Sequence, residues 1–379
     1  MIKKIILLLG IFFYTGAVST FETTAKQAYL IDVLSGEVLL KKNENEKISP
    51  ASITKIMTTI VAFDLIKRGE LKLDEKIRIS KKAWRMSSKG YSSMFIMPGD
   101  KVSVENLLKG IIIVSGNDAC VALAQGIAGT EEEFVNMMNS MAKKIGLPNT
   151  KFSNSSGLFN ENNYSTAEDI AKMSIYLINN FPKLYEYYKI KKFKWDRTGG
   201  APITQGNRNP ILYKDMGGDG LKTGHLEDSG YSLAATIKKD ERRILSVISG
   251  LNSKNERSRE IVRLLSYAKN RFDLLKINKK DEIFKIKTWN LKPKKVQLSL
   301  AKDVYLTIPK RQKSKIKIEI EHEDKILKTV VKEGQPISKL NIFFEDRLIK
   351  SETLYSTTNT LKENFFIRFI NSVSFFIWG

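Results

Sequence analysis

The spacing of apolar residues changes along this chain, and those changes constrain its fold more than any single motif does. Tyr29-Leu30-Ile31-Asp32-Val33 and Val38-Leu39-Leu40 flank Ser35-Gly36 and predict a β-hairpin. A helical period follows: Ile53, Ile56, Met57, Ile60 and Val61 share one face of a helix that Gly69 closes. Residues 104–113 and 131–144 predict two more helices, the second ending at Gly146-Leu147-Pro148. Residues 221–225, 231–237 and 243–249 then read as strands, and 258–272 as a helix with Ile261, Leu264, Leu265 and Ala268 on one side. Strands, helices, strands and a closing helix imply an α+β domain, an antiparallel sheet with helices packed around it.

From about residue 276 apolar and polar residues alternate, as in Ile283-Phe284-Lys285-Ile286-Lys287 and Ile316-Lys317-Ile318-Glu319-Ile320. Short strands at this spacing predict a small all-β domain of sandwich type. A chain of 379 residues accommodates two domains, here residues 20–275 and 276–350. The Ser/Thr/Asn-rich stretch 351–360 reads as a linker. In the segment 361–379, Phe365, Phe366, Phe369, Ile370, Val373, Phe376 and Ile377 fall on one arc of a helix, with Lys362, Arg368, Asn371 and Ser372 mostly opposite. Such a helix suits a membrane interface, where Trp378 would also sit; the bland reading packs it on its own β-domain.

Residues 1–19 have the form of an export signal. Lys3 and Lys4 precede the apolar run from Ile5 to Phe13, and Ala17 and Ser19 sit two apart as a leader peptidase requires. The run is too short to span a bilayer, which takes roughly 20 residues, so cleavage near Ser19 is expected. The formal net charge of +22 suits an anionic surface such as phospholipid headgroups. Nucleic acid is not expected, because the lysines are scattered among glutamates and form no basic stripe. Cys120 is the only cysteine, which excludes an intrachain disulfide; His225 and His322 are the only histidines. Neither a metal nor a cofactor is expected.

Three short motifs carry chemistry. Ser52-Ile53-Thr54-Lys55 opens the first apolar helix, where residues three apart share a face, so the amine can reach the hydroxyl. Serine is a poor nucleophile until a base takes its proton. Lysine can be that base only if burial or nearby charge lowers its pKa from about 10.4. Ser115-Gly116-Asn117 follows an apolar stretch and places a hydroxyl and a carboxamide on one loop. Lys222-Thr223-Gly224 lies on a predicted edge strand, with the lysine and threonine facing a bound anion and Gly224 permitting close approach of substrate backbone. Each motif alone has a trivial explanation: an N-cap serine, a turn, a solvated lysine.

All three in this order are the set known from penicillin-binding proteins and class A β-lactamases, with Gly116 where the usual middle motif carries Asp. The chain resembles the low-molecular-mass penicillin-binding proteins, specifically the D-alanyl-D-alanine carboxypeptidases. The likeness extends to Lys89-Gly90-Tyr91-Ser92-Ser93-Met94-Phe95, Pro98-Gly99, residues 115–122, Met138-Asn139-Ser140, Gly146-Leu147, residues 149–152, residues 220–225 and Gly230-Tyr231. It implies a serine peptidase that removes the terminal D-alanine from peptidoglycan stem peptides through an acyl-enzyme, and that β-lactams acylate as covalent inhibitors. By this resemblance Ser52 is the nucleophile, Lys55 the general base, Ser115 a proton relay, and Asn117 holds Lys55 and the substrate carbonyl. Lys222, Thr223 and Gly224 would bind the substrate, and Arg243, or its neighbour Arg242, would add a contact to the carboxylate. Backbone N–H groups of Ser52 and His225 would form the oxyanion hole. The resemblance also places the enzyme on the periplasmic face of the inner membrane, held peripherally by the C-terminal helix.

The rivals fit less well. A class A β-lactamase needs a Glu-x-x-Leu-Asn stretch between the second and third motifs, and Glu168-Asp169-Ile170 does not supply it. No Gly-x-Ser-x-Gly elbow supports a serine–histidine–aspartate hydrolase. A silent wall-binding protein would have no need of Ser52, Lys55, Ser115 and Lys222 together. A D,D-endopeptidase would use the same residues.

Overall fold

The structure, a computed structural model, describes residues 21–87, 90–197, 200–278, 282–321 and 326–378. The expected leader, Lys89 and His322 lie outside the described residues.

The first domain is built on strands β1 (Gln27–Asp32) and β2 (Val38–Lys42), which form the predicted hairpin. Four main helices follow: α1 (Lys55–Arg68), α2 (Val104–Ile113), α3 (Asn117–Ala128) and α4 (Glu131–Ile145). Gly69 closes α1 in the left-handed conformation that spares a Cβ clash. Next comes α5 (Ala167–Asn180), which the sequence reading passed over although Thr166 caps it by accepting from the Asp169 N–H. Strands β3 (Gly218–Leu226), β4 (Gly230–Lys239) and β5 (Arg242–Leu251) and helix α6 (Lys254–Arg271) complete the domain. Helix α6 starts four residues before the expected 258, because Ser253 accepts from the Glu256 N–H and caps it there.

The sheet is antiparallel in the order β2-β1-β5-β4-β3. Strand β1 shows why it sits inside. Its side chains alternate between faces, Ala28 and Leu30 joining the core under α6 and Tyr29 and Ile31 joining the helical lobe. Strand β3 is left at the edge of the sheet.

The second domain contains β6 (Phe272–Asn278), β7 (Phe284–Thr288), β8 (Lys295–Leu300), β9 (Val304–Pro309), β10 (Ile316–Glu321), β11 (Ile326–Leu327), β12 (Pro336–Phe344) and β13 (Arg347–Ser356). One sheet runs β10-β12-β13-β8-β7-β11, and β6 pairs with β9. Between them Val296, Leu298, Leu306, Leu340, Ile342 and Leu354 form a separate apolar core. Strand β6 begins at Phe272, immediately after α6. The expected linker needs correction. Residues 351–356 are the second half of β13, paired with both β12 and β8, and Leu354 is fully buried. Ser351 and Thr353 alternate with the buried Leu354 and Ser356, so the stretch suits a pleated strand as well as a loop.

The tail forms α7 (Phe365–Trp378). Phe365, Phe366, Phe369, Ile370, Val373, Phe376 and Ile377 are exposed, from Val373 at 41% to Phe376 at 91%, so this arc is not packed on the β-domain. Near the middle of the helix Asn371 donates to Asn290 Oδ1 at 2.7 Å. Among the described residues no helix is long and apolar enough to cross a membrane.

Candidate active site

A 3-10 turn over Ala51–Thr54 carries Ser52 at the mouth of α1. Ala51 has φ +50°, an uncommon conformation for a residue with a side chain, at the position just before the nucleophile. Gly157 lies over that turn. With φ +81°, a Cβ there would stand 1.8 Å from the Ala51 carbonyl oxygen, so only glycine permits the closeness.

Lys55 is 1% exposed, and its Nζ lies 3.0 Å from Ser52 Oγ, 2.7 Å from Asn117 Oδ1 and 2.5 Å from the Ser156 carbonyl oxygen. The count of partners is informative. A neutral amine has two N–H donors and one lone pair. Donating to Asn117 and Ser156 leaves the lone pair for the Ser52 O–H. Burial lowers the Lys55 pKa from 10.5 to about 8; Arg208 adds to the fall, while Cys120 and Asp118 oppose it. At pH 7 that raises the neutral fraction from about one in three thousand to about one in ten.

Ser115, with φ +63°, sits on the turn before α3, and Asn117 is the first residue of that helix. Lys222 reaches across from β3, its Nζ donating to Ser115 Oγ at 3.0 Å and to the Thr223 carbonyl at 3.2 Å. Burial, then Lys55 and Arg208, hold the Lys222 amine well below its usual range. Gly224 packs against the nucleophile turn: a Cβ would stand 2.4 Å from Ser232 Oγ and 3.0 Å from the Pro50 carbonyl oxygen. The demand for glycine thus comes from the protein's own chain.

A cavity of about 540 Å³ joins these elements, lined by Ser52, Ser115, Thr223, Gly224 and His225 together with Arg208 and Arg257. The His225 ring stacks on Tyr231, with centroids 3.9 Å apart.

The arginine expectation is overturned. Arg243 donates to both oxygens of Asp219, at 2.8 and 2.7 Å, and to Thr236, and it lies over the Tyr185 ring. Arg242 is held by Asp32 and the Phe272 carbonyl. Neither lines the cavity. The register explains this: Arg243 pairs with Lys238, level with the start of β3, while Lys222 and His225 lie further along that strand. Arg208 and Arg257 occupy the expected place instead. Among the described residues neither forms a salt bridge to a carboxylate, and the buried Arg257 Nε has no hydrogen-bond partner. Burial lowers the Arg257 pKa to about 10. Two unneutralised guanidinium groups in one cleft form a site for an anion.

Asp118 also escaped the sequence reading. This fully buried carboxylate accepts from Ser87 Oγ, Ser93 Oγ and the Met94 and Phe95 N–H groups, at 2.7 to 2.9 Å. It thereby ties the segment bearing Ser92 to the start of α3.

A buried lysine on a serine hydroxyl, a second lysine–serine pair opposite and a cationic cleft define a serine acyl-transfer site of the Ser-x-x-Lys type. The family described as D-alanyl-D-alanine carboxypeptidase matches residues 15–253, and that described as the C-terminal domain of penicillin-binding protein 5 matches 272–362. The chain is 35% identical over 349 residues to D-alanyl-D-alanine carboxypeptidase DacC of Escherichia coli K12, covering 91% of this chain and 86% of that one. It is 34% identical to DacF of Bacillus subtilis, covering 96% and 95%. The crystal structure of penicillin-binding protein 5 from Haemophilus influenzae superposes with a TM-score of 0.84 at 33% identity, over 90% of this chain and 99% of that one. This chain belongs to the D-alanyl-D-alanine carboxypeptidase family.

Proposed function

We propose that the protein removes the terminal D-alanine from peptidoglycan stem peptides, with Ser52 as the acylated residue. The observation that carries the reading is the buried Lys55 amine on Ser52 Oγ. Ser52 Oγ attacks the carbonyl carbon of the D-Ala–D-Ala bond while its proton passes to Lys55. Backbone N–H groups of Ser52 and His225 hold the oxyanion, a contribution of about 3–4 kcal/mol per donor in related chemistry. The C–N bond breaks as the proton taken up by Lys55 is relayed through the Ser115–Lys222 pair to the departing amine, which leaves Lys55 neutral again. Lys55 then takes a proton from water as the resulting hydroxide attacks the ester, and returns that proton to Ser52 Oγ as the acyl bond breaks. Arg257, Arg208, Thr223 and Lys222 hold the terminal carboxylate. A β-lactam acylates Ser52 in the same way, but its leaving nitrogen stays tethered.

Mass spectrometry of purified wall peptides incubated with the enzyme tests this. Loss of one alanine from pentapeptide stems is expected; opening of cross-links without alanine loss would replace the reading with an endopeptidase.

Residues 1–19 are proposed as a cleaved export signal, and α7 as an anchor lying in an anionic membrane surface on the outer side of the inner membrane. The exposed apolar arc and the basic surface support this together. Truncation should spare Glu363, which is buried and paired with Lys292 and Lys294. A chain ending at Asn364 is expected to leave the membrane fraction; its retention there would refute the anchor.

A further inference from the structure

Among the described residues strand β10 is the open edge of the second domain's larger sheet, paired on one side only, with β12. Its sequence, Ile316-Lys317-Ile318-Glu319-Ile320-Glu321, follows Lys315. Ile318 and Ile320 lie opposite the buried Ile342 and Leu340 of β12, so they continue the apolar face of the sheet. Yet they are 43% and 42% exposed, because the sheet ends there. An open edge strand is a template for another strand, and chains usually blunt such edges with unbalanced charge, proline or a bulge. Here the charges do the opposite. Folded about Ile318, the sequence is complementary to itself when antiparallel: Lys317 faces Glu319 of the second strand, Ile316 faces Ile320, and Ile318 faces its own copy. The flanking Lys315 and Glu321 also come opposite each other.

We propose that this protein self-associates through β10, two copies pairing antiparallel about a two-fold axis at Ile318 to join their sheets. The axis is perpendicular to the sheet, so directly opposed residues share a face. Three isoleucines from each copy form one stripe continuous with both cores. Lys317 and Glu319 form two interchain ion pairs on the other face; within one chain they already meet at 2.6 Å. Each opposed pair contributes roughly 0.2–1 kcal/mol, in addition to the main-chain hydrogen bonds. Such an interface is modest, and attachment of both copies to one surface would raise their effective concentration. The pairing is independent of the peptidase reading, since β10 is far from Ser52 in sequence and lies in the other domain.

Cysteine cross-linking of the full chain in mild detergent tests the pairing and its register. Ile318→Cys is expected to give a disulfide dimer under mild oxidation, because opposed Cα atoms lie about 4.5–5.5 Å apart. Ile320→Cys is not, because its copy would be about 13 Å away, beyond the ~7 Å limit for a disulfide. Cys120 is fully buried and does not compete. By sedimentation, Lys317→Glu should weaken self-association at least tenfold, and Lys317→Glu combined with Glu319→Lys should restore it. Failure of Ile318→Cys to cross-link, cross-linking at 320 in place of 318, or self-association indifferent to Lys317→Glu would each overturn the proposal. Penicillin labelling of every variant should match the parent chain and report that the fold is intact.

Discussion

Ser52→Ala is expected to abolish covalent labelling by fluorescent penicillin and to lower turnover of D-Ala-D-Ala peptides by about 10⁴-fold or more. The size follows from chemistry rather than from packing. Ser52 is only partly buried, and its hydroxyl hydrogen-bonds to an amine that retains two other partners. Alanine therefore removes the nucleophile and leaves the turn, the cationic cleft and the oxyanion donors in place. The variant should still bind β-lactam reversibly while forming no bond. Covalent labelling that survives the substitution would show another residue to be the nucleophile.

Arg257→Ala is expected to lower kcat/KM for D-Ala-D-Ala peptides by about 10²–10³-fold, mostly through KM, because it removes a buried charge from a carboxylate partner worth roughly 3–4 kcal/mol. Arg243→Ala should behave differently. It breaks a buried pair with Asp219 and leaves that carboxylate uncompensated, costing about 3–5 kcal/mol of stability. Its KM should change little while its melting temperature falls. Thermal unfolding and steady-state kinetics on both variants separate the two roles. The opposite pattern, a lost KM for Arg243→Ala and an unaffected one for Arg257→Ala, would restore the assignment that the register of β5 argues against.

These two arginines mark how far the sequence could be read. Ser52 and Lys55 are one helical turn apart, Ser115 and Asn117 share a loop, and Lys222 to Gly224 share a strand. Each is a local pattern, and their meeting follows from the family they resemble. Arg257 reaches the cavity from α6, with no local partner to announce it. A signal was nonetheless present: residue 257 lies on the stripe of Ile261, Leu264, Leu265 and Ala268, and a cation in a buried stripe calls for an anion. Arg243 is suggested by the family resemblance alone, and only the pairing of β4 with β5 reveals its level along the sheet. In the β-domain the alternation of apolar residues was legible strand by strand. The end of the last strand was not, because Ser351-Glu352-Thr353-Leu354-Tyr355-Ser356 has the composition of a linker and the alternation of a strand at once.

The pH dependence of penicillin acylation tests most directly whether an uncharged amine works beside the serine. The base must be deprotonated to accept the Ser52 proton, so protonation of Lys55 removes activity as pH falls. With its pKa lowered to about 8, the acylation rate constant should fall about tenfold per pH unit below 8 and level off above it. A rate constant that stays flat from pH 5 to 8, or that rises only near 10.5, would contradict a buried Lys55 acting as the base.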